Sequence, residues 1–390
     1  MNSSKVFSLG APKINNLVDN KRYTLHRLKF LIGLQMSIGI NRLYLYQNKR
    51  YVVLLSYLYS FVMAALIFSV IINSELKSAT YLVFKDTMII EYTLLSINSV
   101  ILYKKTLQKF FQRIESFDEM LNIKNNIIIT LSMGFFFFIF LICVMYLIIE
   151  IVYFKFLEYI VGEKILNYSH FAMYIAILTH DTETIFFCTL LVMVMRRVKV
   201  LKGHVAKLFL GKEKASNKLE ALSYNANLDI GELHSAYDLL HTCSEKLNSA
   251  MNFPMSLIFT SSGLSSIMLL KEIFRLVQTE TLEYIRSVVF YSIGHCIKFT
   301  IFVVMPCYFS NITNTQVSTI RTMLHDALNT NKYEKYERRR LKAFFQLTRD
   351  SEFAYALWDV IKMDMSLPLS YCSLCVTYLI IVVQFSRFID

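Results

Sequence analysis

The segment Thr179-His180-Asp181-Thr182-Glu183-Thr184 places hydroxyl and ionisable side chains inside an otherwise apolar stretch. His180 and Glu183 are one helical turn apart, as are His180 and Thr184. Ionisable groups in a membrane interior cost roughly 2.5–3.5 kcal/mol each on insertion scales, so these must face a cavity, water or partners. Two roles fit. The run forms a polar wall of a ligand cavity, or it belongs to a structural network with Glu150, His295 or Lys298. No phosphate-binding loop, dinucleotide fingerprint, zinc-protease helix or nucleophile elbow occurs, so no enzyme activity, cofactor or metal is expected. Cys372 and Cys375 form a C-x-x-C without further ligands nearby, which suits small apolar side chains on a packed helix.

The elements that carry these residues follow from composition. Of 390 residues, 55% are hydrophobic, and Gly (10) and Pro (4) are scarce. Mean hydropathy is +0.44. A soluble chain this apolar would expose large greasy patches, whereas a bilayer removes the problem. Long helices with few breakers fit better than a β-barrel. Seven apolar blocks are long enough to span: 51–72, 81–103, 127–153, 165–195, 251–270, 285–310 and 367–386. Residues 28–47, with Arg42 inside and Arg27 and Lys29 beside, suit an interfacial helix.

The net charge of +12 is read through topology rather than nucleic-acid binding, because the basic residues lie between apolar blocks. Lys and Arg number nine in 1–50, five in 104–126, nine in 196–250 and nine in 311–366. The intervening segments carry one, two, two and one, which makes 32 against 6. The expected fold is therefore an all-α polytopic membrane protein with seven transmembrane helices, a cytoplasmic N-terminus and an extracellular C-terminus. Residues 1–50 form a cytoplasmic N-terminal segment, 51–310 a six-helix bundle with a cytoplasmic loop at 196–250, 311–366 a cytoplasmic anchor region, and 367–390 the last span with an extracellular end. Asn167, in Asn167-Tyr168-Ser169, falls outside and is a glycosylation candidate.

Both long inner loops show helical stripes: Leu233, Tyr237, Leu240 and Leu247 in one, and Val317, Ile320, Leu324 and Leu328 in the other. They read as membrane helices extended into water and packed together, or as a docking surface for a signalling partner. Arg338-Arg339-Arg340 reads as a solvated helix face near anionic headgroups.

The last span carries Thr377-Tyr378-Leu379-Ile380-Ile381-Val382-Val383-Gln384-Phe385, which is Thr-Tyr, five aliphatics and Gln-Phe just before the chain end. This resembles the C-terminal signature of insect gustatory receptors. Insect odorant receptors share the topology but usually lack the signature. The resemblance implies a taste receptor subunit in the plasma membrane of sensory neurons, working as a ligand-gated, non-selective cation channel. Its implied partners are a small-molecule tastant, other subunits in a homo- or hetero-tetramer, and membrane lipids. Each subunit would lend its last span to a central pore, and the helix at about 338–362 would help to hold subunits together. A generic chain of this length leans towards a bitter-type tastant. The alternatives are an odorant receptor subunit or a metabotropic seven-span receptor.

Thr377, Ile381, Gln384, Phe385 and Phe388 share one helical face. Four copies of Ile381 and Phe385 would make an apolar ring that gates by dewetting, and Gln384 would add uncharged amides. Without the resemblance, packing between helices would be the simpler account. The ligand pocket implied within one subunit's outer half draws on Tyr92, Tyr146, Glu150, Tyr174, His180, Tyr291 and His295. Aromatic walls with a few polar groups suit small organic ligands or sugars.

Overall fold

Helix α2 (Arg50–Ile72) has no charged residue after Arg50, and helix α5 (Asn125–Val161) carries the Phe135–Phe138 run. Both turn large apolar side chains outward: Leu54 and Phe61 on α2 are 68% and 65% exposed, and Phe138 and Ile149 on α5 are each 60% exposed. A lipid environment makes that surface stable. The computed structural model describes residues 23–45, 49–72, 79–101, 104–121, 123, 125–161, 168–210, 228–279, 282–330, 333–358 and 360–389. Asn167 lies outside them, as do the side chains of Phe385 and Phe388.

The remaining helices are α1 (Tyr23–Ser37), α3 (Ala79–Ile101), α4 (Lys104–Met120), α6 (Tyr168–Leu210), α7 (Ile230–Thr279), α8 (Leu282–Asn329), α9 (Lys335–Asp350) and α10 (Ser366–Ile389). Among the described residues, four stretches are long and apolar enough to cross a membrane: Arg50–Ile72, Gly134–Val152, Ile230–Phe274 and Tyr291–Asn329. Helix α3 carries Lys85, Asp86 and Glu91, α6 carries Asp181 and Glu183 in its buried middle, and the apolar part of α10 among the described residues is shorter.

Helices α6, α7 and α8 have 43, 50 and 48 residues. At 1.5 Å per residue they reach about 65–75 Å, roughly twice a hydrocarbon core of about 30 Å. They therefore run on beyond the apolar belt as a stalk. In it, Leu233, Tyr237, Leu240, Leu247, Ile320 and Leu324 are fully buried, Val317 nearly so, and Leu328 packs against them. Helix α4 closes the stalk's side. Arg197 on α6, fully buried, donates from Nε to Asp118 Oδ1 at 2.8 Å and from Nη2 to Asp118 Oδ2 at 2.5 Å. A planar guanidinium satisfies a carboxylate in this two-pronged way, and lysine could not.

Helix α9 lays Leu341, Phe344 and Thr348 on the stalk and leaves Arg338 and Arg339 exposed. Arg340 Nη1 sits 3.0 Å from Asp229 Oδ2, just before α7 begins. The first large apolar side chain that α7 exposes is Leu264, about 50 Å further along the helix. The arginine run thus stands at the far end of the stalk, away from the headgroup level where the sequence suggested it.

The helix expected over 338–362 ends at Asp350. Beyond it, Ala356–Leu357 (β1) pairs antiparallel with Ile361–Lys362 (β2). The turn places Trp358 at φ 54°, a left-handed conformation that L-residues adopt only when held there. Helix α7 supplies the hold. Asn248 Oδ1 accepts from Ala356 N at 3.2 Å, Asn252 Oδ1 accepts from Trp358 N at 2.7 Å, and the Phe253 and Trp358 rings meet edge to face. After the hairpin, Asp364 accepts from Ser366 N and Oγ. These bonds hold its carboxyl below the usual range and start α10.

Asn252→Ala is expected to lower stability by about 1 kcal/mol, the net worth of one such hydrogen bond. Asn252→Asp keeps the acceptor and should retain most of it. Thermal unfolding of the solubilised protein is the measurement.

Candidate functional site

Helix α6 sends three neighbouring ionisable side chains to three different places. Glu183 meets the turn after α1: Arg42 Nη2 lies 2.7 Å from Glu183 Oε2, Arg42 Nη1 donates to Gln35 Oε1 at 2.5 Å, and Gln35 Nε2 donates to Glu183 Oε1 at 3.3 Å. The guanidinium also stacks 3.8 Å from the centre of the Phe186 ring. Arg42, which on sequence suggested an interfacial position, is buried inside the bundle. The turn that delivers it depends on Gly39 at φ 94°, where a side chain would strike the Tyr92 hydroxyl at 2.5 Å.

His180 points elsewhere. Its Nδ1 is 2.9 Å from Glu91 Oε1 on α3, and Ser262 Oγ of α7 is 3.2 Å from its Nε2. Ser261 Oγ donates to Glu91 Oε2 at 2.5 Å. Asp181 takes a third direction, with Lys298 Nζ of α8 at 3.1 and 3.2 Å from its two oxygens. The threonines of the segment bond within α6, as with Thr184 Oγ1 to His180 O at 3.0 Å.

A fourth pair lies apart from this ladder. His295 Nε2 on α8 is 3.3 Å from Glu150 Oε2 on α5. The imidazole sits among aromatic rings, with centroids at 4.5 Å to Tyr291, 5.2 Å to Tyr146, 5.8 Å to Phe299 and 6.0 Å to Phe84. Tyr146 OH donates to the Tyr291 carbonyl at 3.3 Å, a reach that Gly294 permits, since a Cβ there would lie 2.5 Å from that hydroxyl. Around the pair, Glu150 Oε1, His295 Nδ1 and the hydroxyls of Ser265, Ser266 and Ser292 are buried without a protein partner among the described residues. Cys296 Sγ contacts the Ser266 carbonyl at 3.8 Å, which puts those serines of α7 beside this turn of α8. Buried polar atoms demand partners, so this is where a hydrogen-bonding small molecule or water finds unused capacity.

Of the seven pocket candidates, Tyr146, Glu150 and Tyr291 meet at His295. His180 stands across Phe299, whose ring is 5.1 Å from it. Tyr174 and Tyr92 lie in the surrounding apolar cluster, and the Tyr92 hydroxyl is committed to the Ile38 carbonyl at 2.8 Å. Sequence reasoning named Lys298, Glu150 and His295 as partners for the α6 run. Lys298 is one. The others there are Glu91, Arg42, Gln35, Ser261 and Ser262. The available signal was charge: Glu91 inside a span had to be paired.

On α10, Pro368, Cys375 and Leu379 are buried and Tyr371 lies against Gly263 of α7. Thr377, Ile381 and Gln384 are exposed and fall on the opposite side of the helix. Phe385 and Phe388 continue that helix, their side chains outside the described set.

Glu183→Ala leaves Arg42 charged and buried and is expected to cost about 3–5 kcal/mol. The double change Arg42→Met with Glu183→Leu should cost much less. Thermal midpoints of the wild type, the single variant and the double variant measure the difference.

A family model described as 7tm Chemosensory receptor matches residues 47–387. Among solved structures, the chain is similar to the insect olfactory receptor OR5 from Machilis hrabei, with a TM-score of 0.64 and 13% identity, covering 93% of this chain and 99% of that one. The same receptor in complex with eugenol gives a TM-score of 0.63 at 13% identity, with the same coverage. No curated protein sequence matches. Matched over most of its length, this all-α, polytopic membrane chain belongs to the 7tm chemosensory receptor family, whose members are receptors rather than enzymes.

Proposed function

We propose that the chain is a taste receptor subunit, a ligand-gated non-selective cation channel opened by a small tastant of bitter type. Four subunits, identical or mixed, surround one pore. The N-terminus is cytoplasmic, the C-terminus outside, and the stalk of α6, α7 and α8 with α9 and its hairpin is the cytoplasmic anchor.

The observation that carries this reading is the placement of α10. Pro368, Cys375 and Leu379 face the bundle, while Thr377, Ile381 and Gln384 face away from it. An apolar and amide face turned from its own subunit suits a lining shared with other copies. The Thr-Tyr…Gln-Phe pattern of the same helix supports taste. The second reading, an odorant receptor subunit, draws on the likeness to an olfactory receptor and on that receptor's complex with eugenol.

The tastant would sit at Tyr146, Glu150, Tyr291 and His295, bonding the unused acceptor and donor atoms between aromatic walls. Tyr174 and His180 would shape the surroundings.

In cells without G-protein signalling, compound panels should evoke a cation current. Gln384→Arg, which puts a ring of positive charge on the ion path, should abolish the current at unchanged surface expression. His295→Ala should raise the half-maximal concentration by about tenfold, a loss of about 1.4 kcal/mol. Plant bitter compounds should outperform volatile odorants, and the reverse ranking would favour the odorant reading. An epitope tag at the N-terminus should stain only permeabilised cells. Staining of intact cells would turn the topology over and with it the channel.

A further inference from the structure

Arg50 opens α2 and Lys104 opens α4. Between them lies a cleft of about 420 Å³ whose walls include Tyr44, Tyr57 and Gln108. Lys104 Nζ lies over the Tyr44 and Tyr57 rings, 5.8 and 6.0 Å from their centres. Gln108 Nε2 donates to the Tyr44 carbonyl at 3.2 Å, which ties α4 to the turn that follows α1. Among the described residues, neither Arg50 nor Lys104 has a carboxylate partner, whereas the buried cations Arg42 and Arg197 and the half-buried Lys298 each have one. Two positive charges, without a carboxylate partner among the described residues, therefore flank a cleft with aromatic walls. Leu54 forms its rim, and from there α2 turns Leu54, Leu58 and Phe61 outward on one stripe, 68%, 60% and 65% exposed.

Cations at the foot of a greasy stripe match the two halves of one molecule. We infer that this cleft binds the headgroup of an anionic phospholipid. The phosphate sits between Arg50 and Lys104, and the acyl chains lie along Leu54, Leu58 and Phe61. In the orientation proposed above, the cleft opens at the cytoplasmic leaflet, which is the anionic one. Tyr44 is two residues from Arg42, the partner of Glu183, so the lipid braces the segment that delivers Arg42 to the bundle. The inference rests on the membrane orientation but not on any tastant, and its test needs none.

Purified full-length protein in mild detergent is offered equal amounts of phosphatidylserine and phosphatidylcholine, and bound lipid is counted by native mass spectrometry. Wild type should retain phosphatidylserine in several-fold preference. Arg50→Gln with Lys104→Gln should lower that retention by about tenfold, since each cation near an anionic headgroup contributes. Arg338→Gln with Arg339→Gln removes the same charge from the far end of the stalk and should change nothing. Arg50→Lys with Lys104→Arg keeps the charges and should keep the lipid, which guards against a folding defect in the glutamine pair. Equal retention of the two lipids, or equal loss in the stalk variant, overturns the inference. Displacement by millimolar inorganic phosphate or glycerophosphoserine would mark a free-anion site and overturn the lipid assignment.

Discussion

Charge buried in an apolar medium must find its opposite, and on α6 that requirement organises the bundle. His180, Asp181 and Glu183 cannot all point one way, because successive residues on a helix diverge by about 100°. Each therefore recruits a different neighbour: α3 and α7 through Glu91 and Ser262, α8 through Lys298, and the turn after α1 through Arg42. Apolar helices in lipid have little hydrophobic reason to choose one neighbour over another, since lipid tails are as apolar as leucine. Ion pairs supply the choice. Their net contribution to stability is small, but a mispaired arrangement strands a charge and is heavily penalised.

Beside this ladder lies a set of polar atoms without protein partners among the described residues. The Glu150–His295 pair is ringed by Tyr146, Tyr291, Phe84 and Phe299, and five polar atoms, two of them its own, lack protein partners among the described residues. A fully paired network rigidifies, whereas a partly paired one leaves capacity for something else to bind. Helix α10 meets this region through α7 and α8: Gly263 is close enough to Tyr371 that a Cβ would lie 3.3 Å from its ring and hydroxyl.

The stalk solves a different problem. Long helices leaving the apolar belt enter water, so their cores must be sealed by their own stripes. Leu233, Tyr237 and Leu240 on α7 meet Ile320 and Leu324 on α8 and Leu341 and Phe344 on α9. The hairpin after α9 is held by side chains rather than by propensity: Asn248 and Asn252, one turn apart on α7, accept from Ala356 and Trp358.

Much of this was determined by sequence alone. Apolar blocks of about 20 residues dictate membrane helices wherever they occur, because backbone polar groups in lipid can be satisfied only within the helix. The stalk stripes were equally legible, since burial at helical period is a local pattern. So was the existence of partners for Asp181 and Glu183, but their identity depended on which helices lie adjacent. Lys298 could be named from its place inside a span. Arg42 could not, because a cation outside the apolar blocks reads as a surface residue until a turn at Gly39 carries it inward. The hairpin was hidden for a related reason: a left-handed Trp358 has no local signal, and it exists because two asparagines more than a hundred residues earlier hold it. Tertiary structure alone decided that Tyr146, Glu150, Tyr291 and His295 converge while Tyr92 is spent on a backbone carbonyl. Convergence is a property of how helices are rotated against one another, and the paired charges of α6 fix its neighbours α3, α7 and α8.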